Sequence, residues 1–442
     1  MTADANGLVT VAEFAVSATG NRLALAPADG VSPTATPTPA TPTPTPTPTA
    51  TPISAINFCP AYRAASLYRP RAHQVTVGSQ DDWIATIENA APDTEILLQA
   101  GEYLLTQYSV LIGDNITVRG ASGDRDAVRI RGQGYGVESE GLMIAGNNVT
   151  IADLTMTGMR DHAIAIKYDL GAEEAPHLYN VHLYDIGTQH IKGTPGGIRN
   201  GLIACSTIGY TPGGAKGDYN GAIDIHTPID WTVRDNTIYN IRGDGSGCAV
   251  DVECGTYLSG PAILMWNGAS GTVVERNRIL DSYRNIALGL GSGHAGGAIR
   301  NNFIYQMNPG DAGIELQSAT NLLVEHNTVI LNGDYPGAIE FRDASNLTIR
   351  NNLLTAPPWD RGNTSNILVA GNIDDATGAD LAAPGDPHLA AGTRAIGAGV
   401  QSDVTTDIDG DVRNGSWDVG ADQYRETEIV EKDTLYLPYI SR

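Results

Sequence analysis

An asparagine returns at a fixed interval along this chain, at Asn236, Asn277, Asn302, Asn327 and Asn352, and the last four are 25 residues apart each time. Each stands in the frame β-branched–polar–polar–Asn–x–apolar, as in Val-Glu-Arg-Asn277 and Ile-Arg-Asn-Asn302. Asn tolerates a left-handed backbone better than most non-glycine residues, and its amide can bond a copy of itself. One Asn every 25 residues, between two short strand-like runs, predicts one corner built once per turn of a coil.

The frame continues upstream with the Asn replaced, at Leu154, Val181 and Ser206. From Leu154 onward the intervals are 27, 25, 30, 41, 25, 25 and 25 residues, so whole coils are kept and the extra length falls in loops. Three strands of about 4–6 residues fit one coil, with the corners taking the rest. The 51 glycines suit tight corners, and no long window shows helical periodicity. The expectation is an all-β fold, a β-solenoid of about 25 residues per coil with an Asn corner ladder.

Composition divides the chain more sharply than length does. Residues 32–55 are a Pro/Thr-rich linker, extended and without a core. Residues 1–31 then read as the remnant of an upstream module or as disordered, with two strand-like runs around Ser17–Asn21. Residues 56–425 are the solenoid, and 426–442 a C-terminal tail that is either a sorting segment or a last strand. No signal peptide is visible, and no window of 18 apolar residues could span a membrane. Secretion or cell-surface display is inferred from the linker and the fold. A net charge of −23 argues against a nucleic-acid partner. A polyanionic partner would need a basic strip or bridging cations. Of four cysteines, Cys248 and Cys254 share one loop and are expected to pair, with a metal site as the rival reading. Cys205 reads as a buried small residue at a corner, and Cys59 has no predictable partner.

After the variable loop of each coil a third strand recurs, as in Gly221-Ala-Ile-Asp-Ile-His226 and Gly337-Ala-Ile-Glu-Phe-Arg342. Strand alternation turns Ile164, Ile166, Ile191, Ile223, Ile225, Ile263, Met265, Ile314, Leu316, Ile339 and Phe341 inward. The alternate residues face out as two columns. One holds Ala165, His190, Asp224, Leu264, Ala287, Glu315 and Glu340; the other holds Lys167, Lys192, His226, Trp266, Gly289, Gln317 and Arg342. Coils lie about 4.8 Å apart, so column neighbours reach one another and successive parts of a long ligand. The longest inserts, 194–199, 211–219 and 243–259, would wall this face into a cleft. The candidate catalytic residues are Lys192, Asp224 and His226, with Lys167, His190, Trp266, Glu315 and Arg342 as candidate substrate contacts.

The Asn corners, the opening Asp93-Thr-Glu-Ile-Leu-Leu-Gln-Ala-Gly101-Glu-Tyr103, the run Ile116-Thr-Val-Arg-Gly120 and the Ile-Glu-x strands together resemble the right-handed parallel β-helix proteins of the pectate-lyase type. The resemblance covers about residues 75–425. It implies a polysaccharide site on the strand face, with a Lys or Arg removing the proton α to a uronate carboxylate. A basic residue or Ca²⁺ would neutralise that carboxylate. Lys192 is the best match for the base and Lys167 or His226 for the neutraliser, while no residues match the Ca²⁺ ligands, so a metal site is left unassigned. The acidic series of the polygalacturonase relatives is also missing.

Two further motifs stand apart. Asp407-Ile-Asp409-Gly-Asp411-Val-Arg413 with Asp418-Val-Gly-Ala-Asp422 resembles a closing motif of secreted β-helix proteins. It reads either as a Ca²⁺ loop or as a turn in which Asp caps backbone amides and pairs Arg413. Gly291-Ser-Gly293-His-Ala-Gly296 spells a dinucleotide fingerprint but leads into a strand, which excludes that use. The leading expectation is a secreted, monomeric lyase of an acidic polysaccharide, or one module of a larger protein. The alternatives are an inverting hydrolase using Glu315 and Glu340, and a non-catalytic glycan-binding solenoid.

Overall fold

The computed structural model describes residues 59–425, apart from 138–139, 215–219, 244–258 and 414, together with the short pair Thr2–Ala3 and Val9–Thr10. The chain forms two compact units, 1–54 and 55–442. In the first, Thr2–Ala3 pairs antiparallel with Val9–Thr10; the rest of the strand reading around Ser17–Asn21, the linker and the tail lie outside the described residues. Among the described residues no helix is long and apolar enough to cross a membrane.

In the second unit every named strand pairing is parallel, and successive coils stack three sheets around one core. Sheet A carries β1 (Ser109–Leu111), β2 (Leu142–Ile144), β3 (Ile164–Ile166), β4 (Gln189–Gly193) and β5 (Gly221–His226). It continues with β6 (Pro261–Trp266), β7 (Arg284–Ala295), β8 (Ile314–Thr320), β9 (Ile339–Arg342) and β10 (Trp359–Asp360). Sheet B runs from His73–Val77 to Ser365–Ala370, and sheet C from Gly101–Leu104 to Leu353–Leu354. All eleven side chains expected to point inward from sheet A are buried in the central core. One short helix, α1 (Trp83–Glu88), is capped by Asp82, which accepts from the Ala85 amide at 3.1 Å, and adds Trp83 and Ile87 to that core.

The Asn corner differs from expectation in an instructive way. The left-handed residue is the one before each Asn: Asp235, Arg276, Asn301, His326 and Asn351 have φ of 58°, 51°, 53°, 54° and 56°. The ladder Asn itself is fully buried and bonds along the stack. The Asn277 backbone N–H and Nδ2 donate to Asn302 Oδ1 at 3.0 and 2.9 Å, and Asn277 Nδ2 also reaches Val233 O at 2.9 Å. The same pattern joins Asn236, Asn277, Asn302, Asn327, Asn352 and Asn372, and Ser206 extends it by donating its N–H to Asn236 Oδ1 at 2.9 Å. Each Asn thus satisfies backbone groups that the corner removes from the sheets.

Cys205, at the corner, is bonded to Cys59 and not a free buried thiol. The two Cα atoms are 5.3 Å apart and 146 residues separate them in sequence. From Cys59 the chain runs as a strap along the flank of sheet B back to the first coil. Along the way the Tyr62 amide donates to Asp153, Tyr68 Oη to Glu95, and Arg71 to Thr117 Oγ1 and Asn148 O. The expected Cys248–Cys254 bond lies outside the described residues.

At the other end, Leu381, Leu389, Ile408 and Val419 pack on Phe303, Ile330 and Leu353 of sheet C. The acidic motif here is built as a turn. Asp407 Oδ1 accepts from the Asp409 and Asp411 amides at 3.0 and 2.7 Å. Arg413 is buried and donates mainly to carbonyls, among them Gly420 O and Ala421 O at 3.0 Å each, in place of the expected Asp pairing.

Candidate functional site

The register of sheet A decides which outward groups meet. Lys192 pairs with Asp224, Asp224 with Leu264, and His226 with Trp266. Downstream, Ala287 pairs with Glu315 and Glu315 with Glu340. Lys192 therefore belongs to the Asp224 column, two residues from its expected place, and His190 falls outside both columns.

Three side chains converge on Asp224. Lys192 Nζ donates to Oδ2 at 2.5 Å, Trp266 Nε1 donates to Oδ1 at 2.9 Å, and His226 Nε2 lies 4.0 Å from Oδ1. The His226 and Trp266 rings are in contact, with centroids 4.3 Å apart. Asn267 Nδ2 sits 3.3 Å from His226 Nδ1. An amide nitrogen can only donate, so Nδ1 carries the lone pair and Nε2 the proton. Burial, and then the Lys192 charge, hold His226 below its usual range against the pull of Asp224, which makes the ring neutral at pH 7. A neutral imidazole stands 4.0 Å from a carboxylate that fixes the Lys192 amine, and the group is half-buried on the outward side of the sheet, with Lys192 18% and His226 16% exposed. With both oxygens engaged, Asp224 is an anchor and not a general acid.

His190 takes no part. It is completely buried, with Nδ1 2.8 Å from Gly221 O and Nε2 3.0 Å from Gly209 O, and its ring meets Tyr210. Burial pushes it down to about 4. It is a structural tie between sheets A and C, which corrects the expectation of a substrate contact. Lys167 lies one residue beyond β3 at the start of the turn Tyr168–Leu170, and it forms no ion pair with a described residue.

Glu315 and Glu340 are both buried under arginines. Glu315 is bound by Arg284 and by Arg342, the latter at 2.8 Å. Glu340 is bound by Arg342 and Arg361, each at 2.9 Å, and by Tyr335 Oη. Arg361 also lies over the Trp359 ring, 5.0 Å from its centroid. Carboxylates held this way by guanidinium forks are poorly placed to act as a hydrolytic acid–base pair. Between the two polar clusters the floor is Leu264 and Ala287, paired across the sheet, with Gly289 opposite Trp266. Of the three expected wall loops, 211–219 and 243–259 lie largely outside the described residues.

The family model described as "Right handed beta helix region" matches residues 221–356. A pectate lyase, Pel9A, superposes at 13% identity and TM-score 0.49, covering 80% of this chain and 97% of that one. An alginate lyase from Paenibacillus sp. str. FPU-7 gives 16% identity and 0.44, covering 68% and 99%. A periplasmic alginate epimerase, AlgG, gives 12% and 0.43, covering 67% and 84%. No curated protein matches the sequence. The protein is a right-handed parallel β-helix.

The face of the β-helix does not fit a Ca²⁺ site. Hard cations want several free oxygen ligands, and Asp224, Glu315 and Glu340 are tied to Lys, Trp and Arg. Among the described residues the one group with three convergent metal-type ligands is His388, Asp409 and Asp422, in the C-terminal cap. It offers a nitrogen, and Arg278 stands 3.0 Å from Asp409. Sequence reasoning missed Asn267, Arg284, Arg361 and Tyr335 as partners of the face. Only Asn267 carried a signal, the turn dipeptide Asn-Gly directly after a strand.

Proposed function

We propose that the sheet A face binds an acidic polysaccharide and cleaves it by β-elimination, in an extracellular or cell-surface setting. The observation that carries the reading is the Lys192–Asp224–His226 group on the outward side of sheet A. Proton abstraction beside a carboxylate needs a neutral base and a nearby positive charge. His226 supplies the first, and its role exchanges with the one expected of Lys192, whose ammonium is fixed by Asp224. His226 accepts the proton α to the uronate carboxylate, and the electron pair left behind forms the C=C bond. The glycosidic C–O bond breaks, its oxygen takes a proton from water, and the hydroxide left takes the proton from His226, which returns to its neutral form. Lys192 stands against the carboxylate charge, and Trp266 supports the His226 ring. Lys167 upstream and Arg342 with Glu315 downstream extend the track along the coils. A disulfide between Cys59 and Cys205 suits the oxidising compartment that this setting implies.

The test is incubation of the protein with pectate, alginate and chondroitin, with and without Ca²⁺, while following the ultraviolet absorbance of unsaturated uronate. Absorbance should appear with at least one glycan, and His226→Ala should reduce the rate by about 10²–10⁴-fold. No absorbance gain across the panel, or full activity in His226→Ala, overturns the reading.

A further inference from the structure

The glycine-rich run after β7's first half has no role in the elimination chemistry, yet it lies against the one group that fixes the state of His226. Within β7 the register shifts between Gly289 and His294. The shift is made by left-handed backbone at Gly289, Leu290, Gly291 and Gly293, with φ of 105°, 58°, 52° and 89°. A Cβ at Gly289 would lie 1.9 Å from Gln317 O, and one at Gly293 would lie 2.4 Å from Ser318 O. Both contacts are forbidden, so glycine is required. The resulting bulge receives the turn that follows β6. The Asn267 amide donates to Leu290 O at 3.3 Å and the Gly268 amide to Gly293 O at 3.0 Å. Asn267 is itself left-handed, with φ of 66°. Its side-chain oxygen faces Gly291, where an added Cβ would come within 2.8 Å, and its nitrogen faces His226 Nδ1.

We infer that Asn267, seated by the Gly289–Gly293 bulge, is a positioning residue that holds His226 in the tautomer protonated at Nε2. The inference rests on the reading of His226 as the proton acceptor for its use, though not for its test. Among the described residues, the groups around the ring are Asp224 on β5, Lys192 on β4, Trp266 on β6 and Asn267 beyond it. Of these Asn267 alone touches Nδ1, so it decides which nitrogen keeps the lone pair. The bond is long, 3.3 Å, and gives way to a substrate C–H more readily than a short one would. The glycines once legible only as a false nucleotide motif thus have a local purpose. They leave the room in which the amide can take one orientation.

The experiment is nitrogen-15 NMR of the histidine rings in the wild-type protein, in Asn267→Ala, Asn267→Asp and Gly291→Ala. Wild type should show a neutral His226 protonated at Nε2. Asn267→Asp replaces the donor by a carboxylate and should raise the ring's titration midpoint by about 1–3 pH units. Asn267→Ala should let both tautomers populate, and Gly291→Ala should do the same without altering any group that touches the ring. Wild type protonated at Nδ1, or both alanine variants titrating with unchanged tautomer, overturns the inference. Ring changes as expected with no turnover on any glycan would leave the positioning role standing and remove the lyase reading. Turnover with unaltered rings would do the reverse.

Discussion

At the scale of single residues the site is a question of which atoms are free. Asp224 has none to spare, Lys192 is tied to it, and His226 keeps its lone pair. The acid limb of kcat/KM should therefore follow His226, rising with pH through a midpoint below the usual histidine value, because burial and then Lys192 disfavour its protonation. Lys192→Met removes one of those two causes, so the limb should move to higher pH while the maximal rate falls; a limb that stays in place would exclude His226 as the titrating group. Strand alternation made Lys192, Asp224, His226 and Trp266 legible as outward residues. It misplaced His190, which has the same parity as Lys192. Parity tells which side of a strand a residue leaves from, and not whether Tyr210 then covers it. Of the arginines on Glu315 and Glu340, Arg342 stood in an outward column, whereas Arg284 and Arg361 were illegible because they come from a strand start and a turn that no column includes.

At the scale of the element, the 25-residue repeat disclosed the coil and its register because every rung reuses one corner. What it could not disclose was the division of labour inside that corner. Left-handed geometry is a backbone cost borne by whichever residue precedes the Asn. Arg276 is held there by two bonds to Asp235, at 2.7 and 3.1 Å, and His326 by Asp418 O at 3.1 Å. The Asn is needed for its amide. Asn302→Ala removes the acceptor of the Asn277 backbone N–H and of one Nδ2 hydrogen, so the buried backbone N–H loses its partner while Nδ2 keeps only Val233 O. The expected loss is at least about 2 kcal/mol in urea unfolding. Asn302→Ser keeps an acceptor, as Ser206 Oγ does for the Val181 amide at 3.2 Å, and should lose less. Equal losses in the two variants would mean that the ladder works by packing alone.

At the scale of the whole molecule, the two ends are governed by different chemistry. In the C-terminal cap, burial pushes Asp407 up to about 6 and Asp422 up to about 7. Burial works against a charged His388, yet its bonds to Asp386 and Asp409 hold it up at about 11. Raised carboxyls contribute stability below their unfolded value near 4 and lose it as pH climbs through 6 and 7. His388 contributes below its unfolded value near 6.5 and loses it towards 11. All three act in one direction, so the melting temperature should fall between pH 5 and 8, and Asp422→Asn should flatten that fall. The Cys59–Cys205 bond was not legible, since nothing local relates residues separated by 146 positions. Cys59→Ser should lower stability by on the order of 4–5 kcal/mol, less whatever structure the reduced chain keeps when unfolded. The strap has a mechanical meaning as well. A chain that entered at the first strand could be peeled from it one rung at a time by a pull on the linker. Here the pull arrives at Cys205, several coils along, through a covalent bond. Load on the chain ahead of Cys59 therefore passes first through a covalent bond into the coil of Leu202–Ala204, and not through the hydrogen bonds of the first strand.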